Sequence, residues 1–361
     1  MDPSVTATPN APPRRGLTSV SLPWLAPGAL RGTIGAAVGV VLLVLVPSLF
    51  DQLFGFSADF QLHRVTLVLI FMLAALAQNI LTGYAAQPSL GNAAFFGVGG
   101  YLIAWLAGDL GWPYWEGVVA AILVSAALGV IVGGPALRVS GAYLAIATLG
   151  LVFIAGALFD LWDTAAGRQS YDINTLPDAL SEDRSLYFIV LAIAAVVLYL
   201  GAFLVRSRVG RAWRALRDSE PAALAVGVNV TYYKLLAFVV SAGVTGLAGA
   251  LYATWAQTAS GSMSSPDQTI IFLAMIVVGG LGSITGSVLG AIFVGVLPLL
   301  LGQLPSPVTM GPLSLDVSTL TTGIYGLLLL LTLIFFPAGL VALLEKGRLA
   351  IASLTRRGGT A

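Results

Sequence analysis

Two short stretches of this chain carry the side chains able to do chemistry. The first runs Gln78-Asn79-Ile80-Leu81-Thr82-Gly83-Tyr84-Ala85-Ala86-Gln87-Pro88-Ser89-Leu90-Gly91-Asn92. Gln78, Asn79, Gln87, Ser89 and Asn92 can exchange hydrogen bonds with a polar solute, yet none of them titrates near neutral pH. Gly83, Pro88 and Gly91 interrupt helical continuity within the same stretch. The second stretch, residues 206–234, reads RSRVGRAWRALRDSEPAALAVGVNVTYYK, with six basic residues and two acids. Arg211, Arg214 and Arg217 recur every three positions on one helical face, with Trp213 beside them. Ser219 and Glu220 before Pro221 form a helix-start pattern, so a short helix over 221–226 is predicted, ending at Gly227.

The rest of the chemical inventory is sparse. The chain has no Cys, which excludes a disulfide framework, an iron–sulfur cluster and a thiol nucleophile. A single His, His63, is too little for a His-based metal site or proton relay, and the only lysines are Lys234 and Lys346. No G-x-x-x-x-G-K-[ST] occurs, so the chain offers no P-loop for ATP.

The elements that position these residues belong in a bilayer. Only 33 of 361 residues are charged, or 9%, while 58% are hydrophobic and the mean hydropathy is +0.94. Soluble domains carry about 25% charge. A soluble enzyme, a nucleic-acid binder and a disordered protein are excluded, and the lengths of the apolar runs fit helices rather than barrel strands. The fold class expected is an all-α polytopic membrane protein. Apolar runs fall at 33–50, 65–84, 92–108, 117–136, 142–159, 185–205, 235–255, 269–280, 286–302 and 319–343, about ten spans. Gly279-Gly280-Leu281-Gly282-Ser283 separates the eighth from the ninth.

Residues 1–30, rich in Pro, Ser and Thr, read as a disordered cytoplasmic tail, 31–346 as the membrane domain and 347–361 as a second cytoplasmic tail. Arg14-Arg15 resembles a twin-arginine signal, but no small-residue cleavage site follows, so the first helix is expected to be retained. Placing both termini inside gives 14 basic residues and four acids on the cytoplasmic side, against three basic residues and twelve acids outside. No charge lies between Arg64 and Asp109, a stretch of 44 residues. Ion-coupled carriers keep a titratable group at membrane depth, so ion coupling is disfavoured.

Two readings stand for 78–92. It is either a broken helix lining a substrate passage or a turn whose amides glue helices together. Glycines at 97, 99, 100, 133, 134, 243, 246, 249, 286 and 290 read as close helix contacts. The segments 83–101 and 279–297 share a Gly-rich pattern, a weak hint of an internal repeat. Tyr143, Tyr252, Trp255 and Tyr325 read as packing or interfacial aromatics. The predicted helix at 221–226 is too short to stand alone in water. It either lies on the bilayer surface, with the arginines on anionic lipid, or inserts into a cytoplasmic partner.

At this loop the residues reach a family. Glu220-x-Ala222-Ala223-x-x-x-Gly227 resembles the coupling loop of ATP-binding-cassette importer permeases. NILTGYAAQPSLGNAAFFGVGGY at 79–101, LRVSGAYLAIATL at 137–149, the text at 210–253, MIVVGGLGSITGSVLGA at 275–291 and FFPAGL at 335–340 resemble the M-type permease of branched-chain amino acid importers. The resemblance covers roughly 33–345. Pro88, Asn92, Thr164-Ala165-Ala166-Gly167 and Ala338 depart from its usual pattern, mostly at the passage and the outer face.

The resemblance implies a subunit without catalysis or a cofactor of its own, in the cytoplasmic membrane of a prokaryote. A second permease subunit would complete the passage, lined here by Gln78, Asn79, Gln87, Ser89 and Asn92. Two cytoplasmic ATPase subunits would bind ATP and grip Arg214, Arg217, Glu220, Ala222, Ala223 and Gly227, and an extracytoplasmic binding protein would deliver the solute. Urea and short amides are rival cargoes. An ATP-independent channel for a small neutral solute is the rival class, and it has no use for the loop at 206–234.

Overall fold

The computed structural model describes residues 58–139, 141–173 and 177–301, with further scattered residues between 308 and 341, all within one compact unit. The tails and the first predicted span at 33–50 lie outside the described residues, as do Tyr325 and Ala338, and the last predicted span is described only in part. Each of the eight segments predicted between 65 and 302 coincides with a helix.

Helix α1 (Ala58–Gln78) continues into a π-helical turn, Asn79–Tyr84. After an irregular stretch come α2 (Asn92–Ile103), which also ends in a π turn at Ala104–Asp109, and then α3 (Tyr114–Ala136) and α4 (Ala142–Ala165). A two-residue strand β1 (Tyr171–Asp172) and a single helical turn precede α5 (Asp183–Arg206). The loop forms α6 (Arg208–Asp218) and α7 (Glu220–Ala225). The chain returns through α8 (Val230–Ala256), β2 (Thr258–Ala259), α9 (Pro266–Gly279) and α10 (Ile284–Leu301). Strands β1 and β2 pair antiparallel, with Tyr171 opposite Ala259. A further hairpin joins β3 (Val308–Met310) and β4 (Leu313–Leu315).

Five described helices are long and apolar enough to cross a bilayer: Leu62–Tyr84, Tyr114–Ala136, Ala142–Ala165, Asp183–Arg206 and Val230–Ala256. Their burial differs sharply. The most apolar part is 83% buried for the first and 67% for the last, against 33%, 22% and 28% for α3, α4 and α5. The centre of the bundle is therefore α1, α2 and α8, with α9 and α10 against α1. Helices α3, α4 and α5 show Leu123, Ile131, Phe153, Leu161, Tyr199 and Phe203 outward. Such surface is stable only against lipid or another apolar subunit.

Small residues set the closeness of the central helices, as the glycine spacing predicts. A Cβ on Gly99 would strike the backbone of Gly246, and one on Gly249 the backbone of Phe96. With no hydrophobic drive between helices in lipid, contact this close supplies the van der Waals packing that associates them. Gly134 departs from the expectation and has open space beside it. Phe71, Phe96, Tyr252 and Phe272 pack ring to ring inside the bundle, whereas Tyr143 is exposed. His63 is structural: its Nδ1 lies 2.9 Å from Asp183 Oδ1 and its ring stacks on Trp255. Among the described residues no group of three or more His, Cys, Asp or Glu is placed to hold a metal.

Candidate functional site: the helix break and the cytoplasmic loop

The break begins where α1 widens into its π turn, a form concentrated at functional sites. The side chains of Gln78, Asn79, Gln87, Ser89 and Asn92 are all buried, none more than 3% exposed. Their amides are engaged within the chain. Gln78 Nε2 donates to the carbonyl of Ser89 at 2.7 Å and to Thr82 Oγ1 at 3.2 Å, folding the break back on α1. Asn79 spans to the α9–α10 turn, donating to Ser283 O and Ser287 Oγ, each at 2.8 Å, and accepting from Gly282 N–H at 2.8 Å. Gln87 Nε2 donates to Lys234 O at 3.1 Å. Ser89 Oγ accepts the N–H of Gly91, and Asn92 Nδ2 donates to Ser241 Oγ at 3.1 Å, with its Oδ1 buried and unpaired among the described residues.

The five side chains expected to line a passage are thus each engaged in a hydrogen bond within the chain. Asn79, Gln87 and Asn92 tie the break to α8 and α10, Gln78 ties it to the end of α1 and Ser89 bonds locally, an arrangement in which polar groups glue membrane helices together. The physical reason is the cost of leaving an amide unpaired at this depth, which the neighbouring carbonyls and hydroxyls remove.

The loop is built on an amphipathic α6. Its inner face buries Ala212, Trp213 and Leu216, and Trp213 Nε1 donates to Tyr233 O at 2.8 Å. Arg211 and Arg214 stay outward. Ser207 caps α6, and Ser219 caps α7 by accepting from Ala222 N. Helix α7 therefore starts at Glu220, one residue earlier than predicted, and ends at Ala225. Its exit is a Schellman motif: Gly227 N–H bonds Leu224 O, Val228 N–H bonds Ala223 O, and Gly227 has φ +83°. Glu220 Oε2 pairs with Lys234 Nζ at 2.7 Å.

Of the residues expected to grip an ATPase, Arg214, Arg217, Glu220, Ala222 and Gly227 are exposed, and Leu224 and Val226 stand out beside them at 57% and 76%. One is placed differently. Ala223 is 2% exposed, packed in one apolar cluster with Trp213, Leu81 and Tyr84. Arg217, while exposed, also reaches the break, its Nη1 donating to Gly83 O at 3.1 Å. That single apolar cluster joins the loop to the lower end of α1.

The model of the family described as "Branched-chain amino acid transport system / permease component" matches residues 61–336, which include both the break and the loop. The chain belongs to that family. Among similar proteins is the "High-affinity branched-chain amino acid transport system permease protein LivM" of Salmonella typhimurium, 32% identical over 256 residues. That match covers 63% of this chain and 60% of the relative, so the chain aligns with less than two thirds of that relative's length. The Escherichia coli K12 protein of the same name is 30% identical over 77% of this chain and 72% of its own. The "Probable branched-chain amino acid transport permease protein LivM" of Methanocaldococcus jannaschii is 24% identical, covering 75% of this chain and 90% of its own.

In this chain, the sequence singled out the two stretches but not the residues that pair with them. Gly282, Ser283, Ser287, Ser241 and Lys234 complete the break, and a hydroxyl in an apolar helix is too ordinary a signal to single out Ser241 or Ser287. The two Gly-rich segments compared as a repeat meet in space, since a Cβ on Gly83 would strike Asn79 Oδ1 and Gly282 N.

Proposed function

We propose that this chain is a membrane-spanning subunit of an ATP-driven importer for branched-chain amino acids in the cytoplasmic membrane of a prokaryote. The names of its relatives support the cargo, and the loop supports the energy source. The observation that carries the reading is α7: a two-turn helix, capped at both ends, with Leu224 and Val226 projecting from a membrane bundle. Apolar side chains that stand exposed on so short a helix fit a partner's cleft. Two ATPase subunits bind there and hydrolyse ATP; their closure moves α6 and α7. A second permease subunit covers part of the outward apolar face of α3, α4 and α5, with lipid on the remainder. A binding protein delivers the amino acid to the outer face, where most selectivity resides. The five polar residues from Gln78 to Asn92 belong to the passage as the ties that shape it, rather than as its open lining.

The test is uptake of radiolabelled leucine by vesicles holding the chain with its ATPase and binding-protein partners, compared with urea and acetamide. ATP-dependent leucine uptake is expected. Uptake of urea or acetamide alone would transfer the reading to short amides, and uptake independent of ATP would make the protein a channel.

A further inference from the structure

The π turn that ends α1 presents a carbonyl, that of Gly83, which its own helix cannot serve. Four residues beyond Gly83, the N–H of Gln87 goes instead to Leu81 O at 3.1 Å. Five residues beyond stands Pro88, which has no N–H. A helix C-terminus leaves such carbonyls unpaired and carries partial negative charge, so a cation is favoured there. Arg217, in the last turn of α6, supplies it at 3.1 Å. The same guanidinium lies against the α9–α10 turn, where a Cβ on Gly282 would strike its Nη1. Gly282 is in turn bonded to Asn79. One side chain from the loop therefore sits where the end of α1 meets the α9–α10 turn. Among the described residues Arg217 pairs with no carboxylate, and although the residue is exposed its Nη1 reaches this helix end.

We propose that Arg217 is the positioning residue that carries movement of α6 and α7 into the helix break. This rests on the reading that ATPase subunits dock on α7. The apolar cluster joining Trp213 and Leu216 to Leu81 and Tyr84 holds α6 in place, but apolar contact is non-directional and permits sliding. A charge-assisted bond to one carbonyl is directional and transmits displacement along its axis. The far side of the break is tied in parallel, because Gln87 bonds the carbonyl of Lys234 while Lys234 Nζ pairs with Glu220 on α7. The loop thus grips the break on both flanks. The Arg217 tie is the one that reaches the α9–α10 turn.

The experiment uses the assembled importer in lipid nanodiscs. The chain has no cysteine, so Asp218→Cys and Leu281→Cys, both at exposed positions, place two nitroxide labels in it. Their separation is measured by pulsed dipolar spectroscopy with and without ATP-vanadate. With Arg217 present, the separation is expected to hold on trapping, since α6 and the α9–α10 turn move together. With Arg217→Ala, it should shift or broaden on trapping, and leucine uptake should fall about tenfold or more, while the ATPase subunits still copurify and hydrolyse ATP. Arg217→Lys should recover part of the uptake. An unchanged separation with wild-type uptake in Arg217→Ala overturns the relay. Loss of ATPase copurification in that variant alone also overturns it, because Arg217 would then be a docking contact. Failure of the wild-type chain to retain ATPase subunits removes the functional reading and the relay with it. If Arg217→Ala does not give folded protein, Arg217→Gln, which keeps donors without the charge, is judged by the same outcomes.

Discussion

The Oδ1 of Asn79 accepts the backbone N–H of Gly282 at 2.8 Å, across 203 residues of sequence, while its Nδ2 serves Ser283 and Ser287. One amide thereby pairs groups at the α9–α10 turn, in a place where an unpaired group costs about 1–3 kcal/mol. Asn79→Ala should lower the Tm of the detergent-purified protein, and Asn79→Asp, which loses both donors and adds charge, should lower it further. Thermal unfolding followed by size-exclusion fluorescence checks this. Equal melting of all three proteins would mean that the turn is held by packing alone.

The Glu220–Lys234 pair, with Glu220 half exposed, contributes under about 1 kcal/mol to stability. Its worth lies in orienting α7. Glu220→Lys should insert normally and lose uptake, and adding Lys234→Glu should recover a measurable part. If the swapped pair transports no better than the single variant, Glu220 acts on a partner rather than through Lys234.

Gly227 sits at φ +83°, where a Cβ costs about 1–2 kcal/mol. Uptake should fall in the order Gly, Asn, Ala, Pro at this position, since Asn tolerates the left-handed region and Pro forbids it and removes the N–H bonded to Leu224. Leucine uptake normalised to membrane protein level is the measurement. Normal transport by Gly227→Pro would show that the Schellman exit is not needed.

Gln87→Leu removes the donor to Lys234 O and leaves that carbonyl without its side-chain partner. Transport should decline while the ATPase subunits copurify as before. Unaltered uptake kinetics would remove Gln87 from the transport cycle.

Two glycines predict opposite outcomes. Gly99→Ala places a methyl on the backbone of Gly246 and should sharply reduce folded yield, whereas Gly134→Ala meets nothing within 4 Å and should be neutral or slightly stabilising. Monodisperse yield in detergent distinguishes them; equal yields would contradict the close packing of α2 on α8.

The apolar segments, the turn at 279–283 and the short capped helix of the loop were legible in the sequence, because each follows from local rules. About 20 apolar residues make a span, Gly stops a helix, and Ser219 with Gly227 caps one. The family was equally legible, since several motifs occur in order along one chain. Which helices form the centre was not. Helices α3, α4 and α5 are as apolar as α1 and α8, and only the neighbours that tertiary packing sets around them make two of the five buried. The facing of Arg217 and Ala223 was hidden for a related reason. Helical spacing placed Arg217 with the outward arginines, where it is exposed, but it did not reveal that its Nη1 also answers to a carbonyl left unpaired by Pro88, 129 positions earlier in the chain. The amides of the break show the same division. Composition established that 78–92 is polar and uncharged. Whether those amides face a solute or one another depended on the carbonyls that tertiary packing brought within 3 Å, because a buried amide takes the nearest acceptor rather than remain unpaired.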